Sequence, residues 1–176
     1  MEYVAYVTIG IPVRIDSPER KRNLDILLRH VTSSGVNVHV LEAGERRGYF
    51  PVREDNGVTY SYVYDESAVY HKTVYVNSLL KQATTPVVAI WDADIIFPLS
   101  QLELSAQAIM EQDYALSIPY NGVVKMLSDK QSKAFEQSGQ GCEYLAMQGY
   151  THLMKRPSCG GVFVCLLYTS PSPRDP

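Results

Sequence analysis

Short, almost uninterrupted apolar runs alternate along this chain with stretches whose apolar residues recur at helical spacing. Residues 4–13, "VAYVTIGIPV", are β-branched and nearly all apolar, which suits a strand covered on both faces. In "RIDSPERKRNLDILLRHV", Ser17 is placed as an N-cap with Pro18 at the first helical position. Leu24, Leu27, Leu28 and Val31 then share one face, which predicts a helix over about 18–33. Gly35 ends it, and "VNVHVLEAG" predicts a second strand with Val36, Val38 and Val40 on one side. "ERRGYFPVREDNG" is polar and turn-rich and reads as a loop, and "VTYSYVYDE" alternates as a short strand does. In "YHKTVYVNSLLKQA", Val76, Leu79, Leu80 and Ala83 predict a helix that stops before "TTP", and "VVAIWD" is the next strand. Ser100 and Glu103 have capping-box spacing and open a helix to about Glu111. "YALSIPY" reads as a strand, and "SDKQSKAFEQSG" as a polar surface helix stopped by Gly139.

Strands and helices thus alternate, and the strands are apolar throughout. That pattern predicts an α/β fold: a mostly parallel sheet with helices on both faces. Such sheets bind ligands outside the carboxyl ends of their strands. Three strand exits carry charge. Arg14 and Asp16 follow "IPV", Glu42 follows "HVL", and Asp92 and Asp94 follow "AIW". Glu42 alone also fits a solvated loop residue.

Asp92-Ala93-Asp94 is the most specific of these. Residues i and i+2 leaving a strand point to the same side, so the two carboxylates repel unless a cation lies beside them. Mg²⁺ and Mn²⁺ take one or two protein carboxylates and complete their shell with phosphate oxygens and water. A metal here implies a phosphate-bearing substrate; the bland alternative is a hydrogen-bonded turn. A rival use of two such aspartates is the phosphatase-like fold whose first Asp becomes phosphorylated. That motif follows a first strand and ends on Thr or Val, whereas this strand is central and Ile96 stands at that position.

Size and charge narrow the classes. The 176 residues are 45% hydrophobic and 20% charged, which fits one globular domain. A net charge of −3 gives no basic face for a nucleic acid. No apolar run approaches the roughly 18 residues a membrane span needs. "MEYVAYVTIG" lacks the basic start and cleavage site of a signal peptide. A cytoplasmic protein is expected, with peripheral attachment at the inner face of the membrane as the alternative. Cys142, Cys159 and Cys165 form no CxxC pair and read as reduced thiols.

The last residues form a separate case. "CLLYTSPSPRD", residues 165–175, resembles the translation of a sequencing-library adapter. Its Ser/Pro content cannot support regular structure. The expected division is a domain over 1–164 and a non-native, disordered tail over 165–176, with the natural protein continuing past Val164; the alternative is a natural disordered tail.

Four segments, in order, resemble the GT-A glycosyltransferases, closest to galactosyltransferase-type enzymes and to chondroitin-polymerising and related family 2 transferases of bacteria. "IPVR" at 11–14 is similar to their first strand end, "YHKTVYVN" at 70–77 to their FNRAKLLN-type helix start, "IWDADII" to their metal-binding DxD segment, and "CGGVFV" at 159–164 to a glycine pair on the acceptor side.

The resemblance implies a GT-A sheet and transfer of a hexosyl or hexosaminyl group from a nucleotide-diphosphate sugar, a UDP-sugar first, to a glycan acceptor hydroxyl. Mn²⁺ or Mg²⁺ would be the cofactor and a cell-surface or capsular glycan the product. Pro12, Val13 and Arg14 would line the nucleotide, with Arg14 near the diphosphate, where a guanidinium fork suits phosphate oxygens. Glu42 would approach base or ribose, and Lys72 the nucleotide-sugar. Asp92 and Ala93 would meet ribose or sugar hydroxyls. Asp94, with Asp92, would ligate the metal. Gly160 and Gly161 would let the backbone approach the donor sugar. In inverting relatives the general base lies in a WGxED-like segment after the glycine pair. No such segment is present, so the base is expected beyond Val164 and the fragment is expected to be inactive. The alternatives are a non-catalytic nucleotide-sugar-binding module and a nucleotidyltransferase. The latter would carry glycine in the loop after its first strand, which "IPVRIDSPERKR" lacks.

Overall fold

The computed structural model of the protein describes residues 1–49, 57–139, 141–146, 151–152, 157–158 and 160–167. Its main sheet is built from β1 (Val7–Val13), β2 (Asn37–Gly44), β3 (Val58–Tyr64), β4 (Val87–Trp91), β5 (Leu116–Ser117) and β8 (Val162–Leu166), in the spatial order β3-β2-β1-β4-β8-β5. The first four in that order run parallel, and β8 runs antiparallel to both its neighbours. A separate two-stranded ribbon pairs β6 (Lys125–Met126) with β7 (Thr151–His152).

Each parallel strand is followed by a helix or a crossover, and the helices take opposite faces. Leu24, Leu27 and Val31 of α1 (Pro18–Thr32) and Leu102, Ala106 and Ile109 of α3 (Leu99–Glu111) share one core with Val7, Ile9 and Ile11 of β1 and Val87, Ala89 and Trp91 of β4. Tyr75 and Leu79 of α2 (Lys72–Gln82) share the other with Leu41, Ala43, Val88 and Ile90. The alternation of inward residues along β4 therefore feeds both faces, as expected of a doubly covered strand. Gly10 permits the second core to close: a Cβ there would lie 3.0 Å from Ile90 Cδ1 and 3.4 Å from Leu79.

Local signals act as the sequence predicts at several ends. The Ser17 hydroxyl accepts from Arg20 N–H, with Pro18 at the first turn of α1. Gly35 and Gly139 adopt the left-handed conformation after α1 and after α4 (Asp129–Ser138). α4 also carries a full capping box between Ser128 and Gln131. A further short helix, α5, covers Cys142–Ala146.

Four expectations are corrected. The first strand starts at Val7, because Tyr3–Tyr6 form a 3₁₀ turn. The amides of Glu2, Tyr3 and Val4 donate to the Glu103 carboxylate. Glu103 is thereby engaged elsewhere than at Ser100, and α3 begins without a side-chain cap. "YALSIPY" yields only the two residues of β5, since it is a sheet edge and Pro119 cannot donate to a ladder. Cys165 to Leu167, expected within a disordered tail, are ordered: Cys165 and Leu166 pair with Val88 and Val87, and the Leu167 amide donates to Pro86 O at 2.8 Å. These apolar residues complete the ladder on β4. The remainder of the expected tail, 168–176, lies outside the described residues, as does Cys159.

Candidate functional site

The carboxyl ends of β1, β2, β3 and β4 lie along one rim. β1 pairs with both β2 and β4, so the residues after Val13 and those after Trp91 emerge from neighbouring strands. Pro12 and Val13 are buried in β1, and Arg14 is the first residue beyond it.

Arg14 is held from three sides. Its Nε donates to Ala43 O at 3.3 Å, one terminal nitrogen to Ser67 O at 2.9 Å, and the other to Asp65 Oδ2 at 2.9 Å. Its guanidinium lies 5.3 Å from the centroid of the Tyr70 ring. Asp65 also accepts from the Tyr75 hydroxyl and the Ser67 amide, and these bonds, with Arg14 beside it, hold its pKa below the usual carboxylate value. A cleft of about 430 Å³ opens here, lined by Arg14, Asp16, Gly44, Arg46, Asp65 and Ser67 among others. Asp16 does not pair with Arg14 but with Arg20, in an exposed contact. A second hollow, of about 470 Å³, opens at the opposite end of the sheet between Thr8, Asn37, His39 and Thr84. It is far from the strand exits, and burial lowers the pKa of its one histidine, which is bonded to Ser61.

The turn after β4 is the other half of the rim. The Asp92 amide donates to Gly161 O at 2.7 Å, and the Asp92 carbonyl accepts from the Ile95 amide at 3.2 Å. The Asp92 side chain receives Lys72 Nζ at 2.5 Å, from the first residue of α2. Ala93 packs partly buried against the core, which turns Asp94 outward. Asp94 is exposed, and among the described residues no hydrogen bond or ion pair reaches its carboxylate. The glycine pair lies directly against this turn. Gly161 adopts φ +102°, and a Cβ there would lie 3.0 Å from Ile95 Cγ1. Gly160 O accepts from the Tyr120 hydroxyl.

Tyr70 and Tyr75 link the two halves. Their ring centroids are 5.1 Å apart. Tyr75 bonds Asp65, while burial, then the charges of Tyr75 and Asp92, push the Tyr70 hydroxyl pKa up. The Tyr70 hydroxyl oxygen is itself buried, with no hydrogen-bond partner among the described residues. A phenol under Arg14 and near Asp92 thus has an unmet polar atom.

Glu42 has a different role from the expected one. It is not at a strand exit; it pairs within β2 with Val13 and Tyr62. It is 1% exposed, and its carboxylate accepts from the Gly48 amide at 2.6 Å, the Tyr49 amide at 3.0 Å and the Tyr60 hydroxyl at 2.6 Å. It presents no surface to base or ribose and instead ties the segment after β2 onto the sheet. Burial, and then the hydrogen bond that Tyr60 donates to it, raises the phenol pKa.

Sequence reasoning misses Asp65, Tyr70 and Tyr75. Asp65 follows β3 as Asp92 follows β4, so the strand-exit rule applied to "VYD" locates it. The tyrosines carry no comparable signal, since 13 tyrosines are spread along the chain.

The donor set suits a hard divalent ion. Two carboxylates from one turn, one of them exposed, are what Mg²⁺ or Mn²⁺ accepts when phosphate and water supply the rest. Among the described residues no group of three or more His, Cys, Asp or Glu gathers to hold an ion without a ligand. No helix among them is long and apolar enough to cross a membrane.

No protein-family model matches the chain, and no curated protein matches it. Solved structures similar to it include Staphylococcus aureus TarS 1–349 in complex with UDP-GlcNAc, at 17% identity and TM-score 0.46, covering 62% of this chain and 32% of that one. A Desulfovibrio desulfuricans G20 protein named as a putative nucleotide-diphospho-sugar transferase aligns at 10% identity and TM-score 0.43, over 65% of this chain and 58% of that one. The CTP complex of CMP:2-keto-3-deoxy-manno-octonic acid synthetase aligns at 12% identity and TM-score 0.47, over 92% and 74%. The chain spans about a third of the length of the TarS structures it matches over 1–349. Likenesses this distant carry no functional weight; the chemistry is read from the residues of the rim.

Proposed function

We propose that the chain is the donor-binding part of a metal-dependent, inverting glycosyltransferase that takes a UDP-sugar as donor and a glycan hydroxyl as acceptor. One observation carries this reading. Asp94, exposed and without a partner among the described residues, follows Asp92, which Lys72 and the Gly161 backbone contact, on the rim that also carries Arg14. Carboxylates for a cation, a basic side chain for phosphate oxygens and a glycine pair for close approach meet at the end of β4, and a second basic side chain, Arg14, leaves the neighbouring β1.

In this reading Asp94, with Asp92, holds Mn²⁺ or Mg²⁺, and the ion supplies a Lewis acid for the leaving diphosphate. Arg14 and Lys72 stabilise the charge that develops on the diphosphate oxygens. Pro12 and Val13 shape the wall of the nucleotide site, and Ala93 and the glycine pair leave room for the sugar. No carboxylate of the described residues is assigned as general base. The parent enzyme works at a cytoplasmic or inner-membrane surface in building a cell-surface polysaccharide.

UDP titrated calorimetrically into the chain with Mn²⁺ tests this. Binding is expected to require the ion and to weaken at least about tenfold in Asp94→Ala. Equal affinity with a chelator present would remove the metal role. Metal-dependent UDP binding with no sugar transfer by any longer protein that contains this chain would favour the binding module over the enzyme.

A further inference from the structure

Asp92 and Asp94 leave the same strand yet stand in different states. Asp92 is fixed at its backbone on both sides, by Gly161 O and by the Ile95 amide, and its carboxylate is neutralised by Lys72 Nζ. Asp94 is exposed, and among the described residues it is unpaired. The Lys72–Asp92 pair is itself open to solvent, with the side chains 45% and 29% exposed. Of its two members only one can move easily: Asp92 has a short side chain on a pinned turn, whereas Lys72 has a four-carbon stem at the first turn of α2.

We propose that Lys72 is a displaceable latch on Asp92 that couples diphosphate binding to cation binding; this rests on the reading of Asp92 and Asp94 as the cation's carboxylates. With the latch closed, the ammonium occupies Asp92 and repels an incoming divalent ion, which meets Asp94 alone. A diphosphate offers the ammonium other oxygens. When Lys72 turns to them, Asp92 is released and both carboxylates face the cation. Ion and diphosphate then bind cooperatively, and each raises the affinity of the other by the same factor.

The test is Mn²⁺ titration followed by the electron paramagnetic resonance signal of the free ion, with and without UDP. It uses the chain itself, Lys72→Met, Lys72→Gln and Asp94→Ala. Lys72→Met is expected to bind Mn²⁺ alone about tenfold more tightly than the unaltered chain, because a positive charge next to the ligand is gone. The factor by which UDP tightens Mn²⁺ is expected to shrink correspondingly. Lys72→Gln, which keeps a polar group on the helix, is expected to behave alike and stands in if the Met variant loses its helical circular dichroism. Mn²⁺ binding that is lost in Asp94→Ala but unchanged in both Lys72 variants would overturn the latch while leaving the metal reading intact. An undiminished UDP effect in those variants would do the same. No Mn²⁺ binding by any of the chains, with or without UDP, would overturn both.

Discussion

Glu42 and Asp94 are two carboxylates near the same rim of the same sheet, and their surroundings are opposites. Glu42 is 1% exposed and accepts three hydrogen bonds from its own chain. Asp94 is exposed and accepts none from the described residues. A buried charge has to be satisfied internally or the fold fails, so Glu42 is complete without a ligand. A charge left unsatisfied at a rim costs little in water and remains available. The comparison separates a carboxylate that builds the scaffold from one that serves the solvent side. Position at a strand end does not make that distinction, but the inventory of donors does.

Substitutions should widen or collapse this contrast. The largest effect is expected from Glu42→Ala, which strands two amides and a phenol. Chemical denaturation should show a loss of about 3–5 kcal/mol. Gly161→Ala comes second, at about 1–3 kcal/mol in the same measurement. It forces a side chain into φ +102° and against Ile95, and it disturbs the turn that carries Asp92. A third effect is confined to acid. The Asp65 pKa is lowered by the Tyr75 hydroxyl, the Ser67 amide and Arg14, so the folded chain binds fewer protons there than the unfolded one. The associated stability is present above the ordinary value of 3.8 and is lost as pH falls through the lower folded value. Asp65→Asn should flatten that acid limb in a pH series of thermal melts. Asp94→Ala should change stability least, by under about 0.5 kcal/mol. A loss there as large as that of Glu42→Ala would show that the two carboxylates are of one kind.

The sequence makes the layers legible and the site only partly so. The helical spacing of Leu24, Leu27 and Val31 and the unbroken run before Asp92 are local properties, and both place their elements correctly. Ser17, Gly35 and Gly139 mark their ends for the same reason. The Asp92–Asp94 turn and the Gly160–Gly161 pair are each visible as strings, and the β4–β8 ladder brings them together. The features that stay hidden depend on pairing across the sheet. Glu42 is saturated by a phenol one strand away and by amides six and seven residues on. Arg14 finds its carboxylate at Asp65, 51 residues later, rather than at the nearby Asp16. A string in which Arg14 and Asp16 are close invites the local pairing, but Asp16 is taken by Arg20.

The placement of β8 has a consequence for how the molecule comes together. β4 and the Asp92 turn gain their second row of backbone partners only from residues 161–166, some 70 positions later in the chain. During synthesis β1, β2, β3 and β4 can pair before that segment has left the ribosome. Until it arrives, one side of Val87–Trp91 is a bare, entirely apolar template for other nascent chains. Closure of that seam, a contact of long sequence separation, is therefore expected to be slow and to be the step most in need of a chaperone.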